Sequence, residues 1–386
     1  MSPSASNFVT HNFVVVGNPE SRRIALFQDA LARMHLPAAC VVSYLDLLQN
    51  RVALPDVVRR GDIVRLESPG QNWEVEKALL HLGAREDESE DWLSAREVEK
   101  LQFERGRIWP SRQWFCGLKN LLQKLEYQLA QCAPHRATHN AREIALMFDK
   151  PLCHAALCES GVAVPRSLGS PRCFEELAAR MREHGCGRVF IKLAHGAGAS
   201  GIVAYRTYGR RHQATTTVEM IRNSGVLFLY NSRRVRVYDD LKTIAELIDA
   251  LCRQSVHVEE WLPKIAVGGK VCDARVVVIA GRAQHAVLRL SQTPMTNLHL
   301  LNARGDITML QAKLPPRSWD AGMQSCESAM RLFPKSLCGG VDILWTPDGR
   351  RHAILEVNAW GDFLPGALHE NRDSYEAQIA ALQENL

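Results

Sequence analysis

The 386-residue chain has no apolar stretch approaching the roughly 20 residues that a membrane-spanning helix requires. Its first residues, MSPSASNFVTHN, lack a basic segment followed by an apolar core, so no secretory signal is read there. Eleven cysteines are present, but none forms a C-x-x-C pair. An odd, unpatterned set excludes a zinc ribbon or a disulfide frame and fits free thiols in a reducing cytosol. Cys153 and Cys158 lie beside His154 but read as helical packing positions. No G-x-G-x-x-G follows the first strand pattern and no G-x-x-x-x-G-K-[ST] occurs, so neither dinucleotide binding nor a P-loop has direct support. A nucleophile elbow and a Cys/His catalytic signature are missing too, which leaves covalent catalysis without a candidate. Formal net charge is +5 with both signs mixed along the chain. Nucleic acid would call for a basic stripe or a recognised module, which this charge does not supply, while small anionic substrates remain compatible.

What remains is an ordinary globular composition, 46% hydrophobic and 23% charged, long enough for two or three lobes with cores of their own. Residues 13–17 read as a buried strand, 22–34 as a helix after the turn at 18–21, and 40–43 and 62–66 as further strands. That order predicts a small parallel α/β lobe. The acidic run at 86–91 reads as a solvated loop or exposed helix. Leu118, Leu121, Leu122, Leu125 and Leu129 predict an amphipathic helix over 113–132. Trp109, Arg112 and Trp114 before it suit packing, or alternatively the wall of an acceptor pocket.

From about residue 135 the pattern changes. Helices are expected over 141–148 and from 150 to 160, and strands over 188–193, 202–205 and 256–259. Residues 207–224 read as a linker or turn region. Hairpins are expected at 226–230 with 233–237, across Asn231-Ser232, and at 274–280 with 283–290, across Gly281-Arg282. A further hairpin joins 340–345 to 352–358 around Thr346-Pro347-Asp348-Gly349. Asp342 lies on one of its strands. Glu356 and Asn358, two apart, leave the same face of the other. Two carboxylates and an amide oxygen form a hard site that suits Mg²⁺ when phosphates complete the shell. The alternative is a solvated face, but acids between Val, Ile and Leu are costly to bury without a partner.

Lys192 ends a strand and is followed by the small-residue loop 194–201. Such a loop lets backbone amides approach phosphate oxygens, and Ser200 adds a hydroxyl. Taken alone, a glycine-rich hairpin turn would look the same.

The order Asp149-Lys150, Ile191-Lys192 with its loop, Val258-Glu259-Glu260-Trp261-Leu262, Asp273-Ala274-Arg275, Arg289, Thr296-Asn297-Leu298-His299, Asp342 and Glu356-Val357-Asn358 resembles the ATP-grasp superfamily over about residues 135–370. It is most similar to the RimK-type carboxylate–amine ligases. The resemblance implies an α/β (α+β) chain. A Rossmann-like N-terminal lobe with a helical linker (1–134) would precede an ATP-grasp domain (135–386) of two α+β subdomains, divided near 215/216. It implies ATP, with one or two Mg²⁺ ions or Mn²⁺ in their place. Lys150 and Lys192 would hold the phosphates, with Ser200 in the loop. Glu259 and the backbone of Glu260 and Leu262 would meet adenine, and Asp273 the ribose. Arg289 and Asn297 would face the γ-phosphate and the reacting carboxylate. Asp342, Glu356 and Asn358 would ligate the metal.

The implied reaction joins a small-molecule or peptide carboxylate to an amine through an acyl phosphate, with Arg289 and Lys192 as catalytic groups. An ATP-grasp phosphotransferase and a non-catalytic ATP-binding regulatory subunit are the alternatives. The expected setting is cytoplasmic, with no nucleic-acid or membrane partner; a homo-oligomer is compatible. The chain departs from the RimK-type pattern where Leu300-Leu301-Asn302-Ala303 follow His299, in the extra turn at 266–270, and in the ending NAWGDFLPG. That ending resembles a less characterised bacterial ATP-grasp family. Asp362 within it could contact an acceptor amine or cap the turn.

Overall fold

A computed structural model describes residues 12–84, 92–360 and 364–384. The acidic run at 86–91 and Asp362 lie outside the described residues. Among the described residues, sixteen strands fall into three sheets.

The first sheet contains β1 (Phe13–Gly17), β2 (Cys40–Ser43), β3 (Ile63–Leu66) and β4 (Arg136–Ala137), all parallel, in the order β2-β1-β3-β4. Every residue of β1 is buried, as a strand covered on both faces must be. Helix Arg22–Arg33 follows, capped by the Ser21 hydroxyl accepting from Arg23 N, and buries Ile24, Phe27, Ala30 and Leu31. The expected linker helix is Ser111–Gln131. It crosses helix Trp73–Gly83 at a glycine pair. A Cβ on Gly117 would sit 1.9 Å from the Leu79 carbonyl oxygen, and one on Gly83 2.0 Å from that of Gln113. Only glycine permits this approach.

The second sheet contains β5 (Ser167–Gly169), β6 (Arg188–Leu193), β7 (Val203–Tyr208), β8 (Arg211–Asn223), β9 (Val226–Tyr238) and β10 (Val256–Glu260). Its order is β5-β10-β6-β7-β8-β9, antiparallel throughout. Helices Phe174–Glu183 and Leu241–Arg253 share a core with it. Here the structure corrects the sequence reading. The supposed linker at 207–224 is mostly β8, and the supposed hairpin across Asn231-Ser232 is one continuous strand, β9. The reversal lies at Ser224-Gly225, where both φ angles are positive (49° and 83°), the requirement of a tight hairpin turn.

The third sheet contains β11 (Ala266–Val267), β12 (Lys270–Ile279), β13 (Arg282–Ser291), β14 (Ala303–Gly305), β15 (Cys338–Trp345) and β16 (His352–Asn358). The order is β14-β13-β12-β15-β16, with β11 on β12. The expected β12–β13 and β15–β16 hairpins are present, although the first turns at Ala280-Gly281, one residue earlier than read. Helices Ser318–Met330 and Ser374–Glu384 pack on this sheet. The second sheet thus spans 167–260, so a division at 215/216 would cut β8; the chain passes to the third sheet at 261–265. The first sheet has no separate core. Val14, Val64 and Leu122 belong to one apolar cluster with Val276, Val341 and Ile354, and Phe13 and Phe27 to another with Val277, Ile279 and Tyr375.

Among the described residues no helix is long and apolar enough to cross a membrane. None of the eleven cysteines forms a disulfide. Cys153 is buried as expected, Cys158 is exposed on the same helix, and His154 Nε2 meets the Pro165 carbonyl at 2.7 Å.

Candidate active site

Strand pairing places the charged residues of the third sheet in rows. On β12 and β13, Asp273 lies opposite Arg289. Arg275, two residues on and hence on the same face, lies opposite Asp342 of β15, which in turn lies opposite Glu356 of β16. Gly340 faces Asn358, whose amide nitrogen donates to the Gly340 carbonyl at 3.4 Å. One sheet face therefore carries both arginines and the carboxylates, with Asp342 and Glu356 side by side on β15 and β16.

The contacts follow the register. Arg289 donates from Nε to Asp273 Oδ1 at 2.7 Å and from Nη1 to Asp342 Oδ2 at 3.1 Å. Arg275 donates to both Asp342 oxygens, from Nη2 to Oδ2 at 2.9 Å. Lys264 Nζ lies 2.8 Å from both Asp273 Oδ2 and Thr296 Oγ1, and Thr296 also donates to Asp273. Asp273, Asp342 and Arg289 are 1%, 3% and 5% exposed. At such burial the charges persist only because each is paired and hydrogen-bonded. Burial would raise the Asp273 carboxyl, but Arg289 and Lys264 reverse that and hold it well below the usual carboxylate range. Burial likewise works against the Arg289 cation, and Asp273 and Asp342 more than compensate.

The opposite wall comes from the second sheet and the helix Lys150–Glu159. Lys192 on β6 pairs with buried Glu259 on neighbouring β10. Lys150 opens the helix after Asp149, whose side chain caps it by accepting from Leu152 N at 3.1 Å. Its Nζ reaches Glu356 Oε1 at 3.0 Å and the Gly196 carbonyl at 2.5 Å. Burial pushes the Glu356 carboxyl up, but Lys150, Lys192 and Arg275 pull it down to about 2. Burial disfavours the Lys192 cation, and Glu259 and Glu356 outweigh it, so its pKa is raised.

The loop after Lys192 bends through Gly198, Ala199 and Gly201, all with positive φ. Two threonines of β8 hold it: Thr217 donates to the Ala199 carbonyl at 3.0 Å and Thr216 to that of Ile202 at 2.7 Å. The Ser200 amide turns inward to the Ala197 carbonyl at 3.0 Å. At the end of β10, the Glu260 amide donates to the Arg166 carbonyl at 2.8 Å, so that amide is already engaged.

One cleft between the second and third sheets collects every residue singled out from the sequence for the site: Lys150, Lys192, Ser200, Glu259, Glu260, Leu262, Asp273, Arg289, Asn297, Asp342, Glu356 and Asn358. Lys264, Arg275 and Thr296 line it as well and were not singled out. The signal for Arg275 was present, since it stands two residues from Asp273 and shares its face. Thr296 stands in the segment Thr296-Asn297-Leu298-His299 but was given no role of its own, and Lys264 comes from a loop and left no pattern. Arg23 and Ser68 extend the wall from the first lobe, and Phe190, Ile202 and Met295 supply an apolar part. Trp114 packs on Phe148, while Trp109 packs on Trp73 beneath Arg107, so the aromatic set serves packing. Across the described lining, six cations (Arg23, Lys150, Lys192, Lys264, Arg275, Arg289) stand against five carboxylates (Glu259, Glu260, Asp273, Asp342, Glu356).

The donor set tests the expected metal. No group of three His, Cys, Asp or Glu side chains among the described residues is placed to hold an ion. Asp342 and Glu356, with the Asn358 amide, are hard oxygen donors in register, but each carboxylate already faces a cation. Such a set fits Mg²⁺ arriving with phosphate oxygens, the usual manner of its binding, and does not fit a bare ion.

No protein-family model matches the sequence, and no curated protein matches it. Solved structures do. The chain is similar to the ATP-grasp ligase PsnB in complex with a phosphomimetic variant of its minimal precursor, Mg and ADP: 19% identity, 97% of this chain, 99% of that one, TM-score 0.51. It is similar to the macrocyclase MdnC of Microcystis aeruginosa MRC bound with precursor peptide MdnA, at 14% identity over 97% and 100% of the two chains, TM-score 0.55. The D-cycloserine synthetase DcsG matches at 12% identity over 97% and 99%, TM-score 0.55. These likenesses, spanning nearly the whole of each chain, show that this protein has the ATP-grasp fold.

Proposed function

We propose that the cleft binds Mg-ATP and uses it to join a carboxylate to an amine. The observation that carries this reading is the charge pattern. Cations in slight excess converge from two sheets and a helix N-terminus on a pair of hard carboxylates, a surface suited to a polyanion that brings its own Mg²⁺.

In this reading Lys150 and Lys192 lie along the phosphates, and their pairing with Glu356 and Glu259 fixes them before the nucleotide enters. Asp342, Glu356 and Asn358 would hold the ion, which neutralises phosphate charge when bound. Adenine would enter the apolar end near Phe190, Ile202 and Met295, beside the Glu260 carbonyl. Asp273 has both oxygens engaged by Arg289, Lys264 and Thr296. That favours it as the group that orients Arg289 over a ribose contact. A substrate carboxylate oxygen then attacks the γ-phosphorus and ADP leaves. The amine nitrogen next attacks the acyl carbon, phosphate leaves, and the amine gives up a proton. Arg289, fixed by two carboxylates, is the donor preorganised for the charge that gathers in both steps. No protein nucleophile is needed.

PsnB and MdnC were solved with precursor peptides, which supports a peptide as one substrate here. The test is stoichiometric. The protein is incubated with Mg-ATP and pools of acids, amines and peptides, and ADP and free phosphate are measured. A ligase releases both in equal amounts and only when acid and amine are present together. ADP without free phosphate would establish a phosphotransferase and overturn the ligase reading. Tight ATP binding without turnover in any pool would mark a regulatory protein.

A further inference from the structure

The phosphate loop is gripped at its root by a side chain outside the nucleotide machinery. His195 follows the strand that carries Lys192. Its ring stacks on Phe115 of helix Ser111–Gln131 with centroids 4.0 Å apart and planes within 11°. On its other edge Nε2 lies 3.3 Å from Asp149 Oδ2. His195 and Asp149 side chains are 9% and 16% exposed. A carboxylate only accepts, so Nε2 carries the proton of this bond.

Two further bonds run parallel to it. The Lys150 amide donates to the Ala194 carbonyl at 3.1 Å, and Lys150 Nζ reaches the Gly196 carbonyl. Residues 149–150 and 194–196 are thus laced together three times, and the His195 ring also touches the first lobe. The charged groups around it are Asp149, Lys150 and Arg112. Burial first, and then the two cations, lower the imidazole pKa against the pull of Asp149, and the ring is wedged between an aromatic face and a carboxylate.

We propose that His195 is a positioning residue. Clamped between Phe115 and Asp149, it fixes the root of the small-residue loop and the height of Lys150, and so makes phosphate binding depend on the long helix of the first lobe. The nucleotide part of this inference rests on the reading of the cleft as an ATP site. Its mechanical part, the ordering of the loop, does not.

The experiment uses the full chain with His195→Ala, His195→Gln and Phe115→Leu. Deuterium uptake is followed by peptide in the nucleotide-free protein, and Mg-ADP affinity by calorimetry. A glutamine keeps a donor and a planar group, so it serves as the conservative rescue. In His195→Ala, uptake over 194–201 rises while that of β12 stays at the wild-type level. Mg-ADP binds about tenfold more weakly, an affinity loss of about 1.4 kcal/mol. His195→Gln recovers most of both effects, and Phe115→Leu reproduces them in part. Wild-type uptake over 194–201 in His195→Ala overturns the proposal. Should that variant fail to fold, Phe115→Leu decides: unchanged uptake and affinity there overturn it, and raised uptake upholds it. If wild-type protein binds no Mg-ADP, the ATP reading falls, whereas the loop uptake still tests the clamp.

Discussion

Glu356 is the residue on which the two walls of the cleft meet. It stands opposite Asp342 on the sheet and reaches Lys150 on the helix. Its carboxyl is depressed from 4.5 to about 2, which has a defined sign. A depressed acid contributes stability above its unfolded pKa and loses it as pH falls through the folded value. The stability advantage of wild type over Glu356→Gln is therefore expected to be full at neutral pH, to shrink as pH drops below about 4.5, and to be gone below about 2. Urea titrations of both proteins across that window check it, and an advantage that grows on acidification would contradict the assignment. The same variant, folded at neutral pH, is expected to lose ATP turnover, since an amide supplies neither the charge nor the second oxygen that the ion and Lys150 share. Full activity would remove Glu356 from the metal site.

At the scale of elements, the glycine pair at the crossing of Trp73–Gly83 and Ser111–Gln131 sets the geometry of the first lobe. Gly117→Ala would drive a methyl into the Leu79 carbonyl, a backbone atom that has no rotamer to yield. A cost of about 1–3 kcal/mol is expected, the range of core overpacking, read as a lower urea midpoint with unchanged slope. Legibility differed among the elements for physical reasons. The strands around Lys192 and Asp342 are apolar runs bounded by turn residues, and the sequence reads them to within two residues, whereas β12 begins at Lys270, four residues before the start read for it, and so takes in Asp273. β8 and β9 are not apolar runs: a Thr-rich segment, a bulge between Thr216 and Val218, and the Arg233-Arg234 pair break the alternation. Their pairing partner is also what identifies them, and pairing is not a local property. The site was legible for the opposite reason. Lysines, acids and small residues at strand ends stand out singly, whereas Lys264 enters only through the fold.

The whole molecule closes on a cleft whose described lining carries one more cation than carboxylate. A bare divalent ion gains little there, while a nucleotide that brings the ion gains from both walls. Mg²⁺ alone is expected to leave the thermal midpoint unchanged. Mg-ADP at 100 times its dissociation constant is expected to stabilise the fold by about 2.7 kcal/mol, by mass action on the native state. Scanning calorimetry with each addition separates the two, and a large rise with Mg²⁺ alone would point to a self-sufficient metal centre instead.

Trp360 donates from Nε1 to the Leu66 carbonyl at 3.0 Å, so the chain leaving β16 is tied to the last residue of β3. Together with the apolar clusters shared by the first and third sheets, this makes the N-terminal lobe a poor candidate for a detachable module. Exchange with a homologue's lobe would have to carry its half of the seam along. Removing the lobe would bare the apolar side of the third sheet, a surface that invites aggregation.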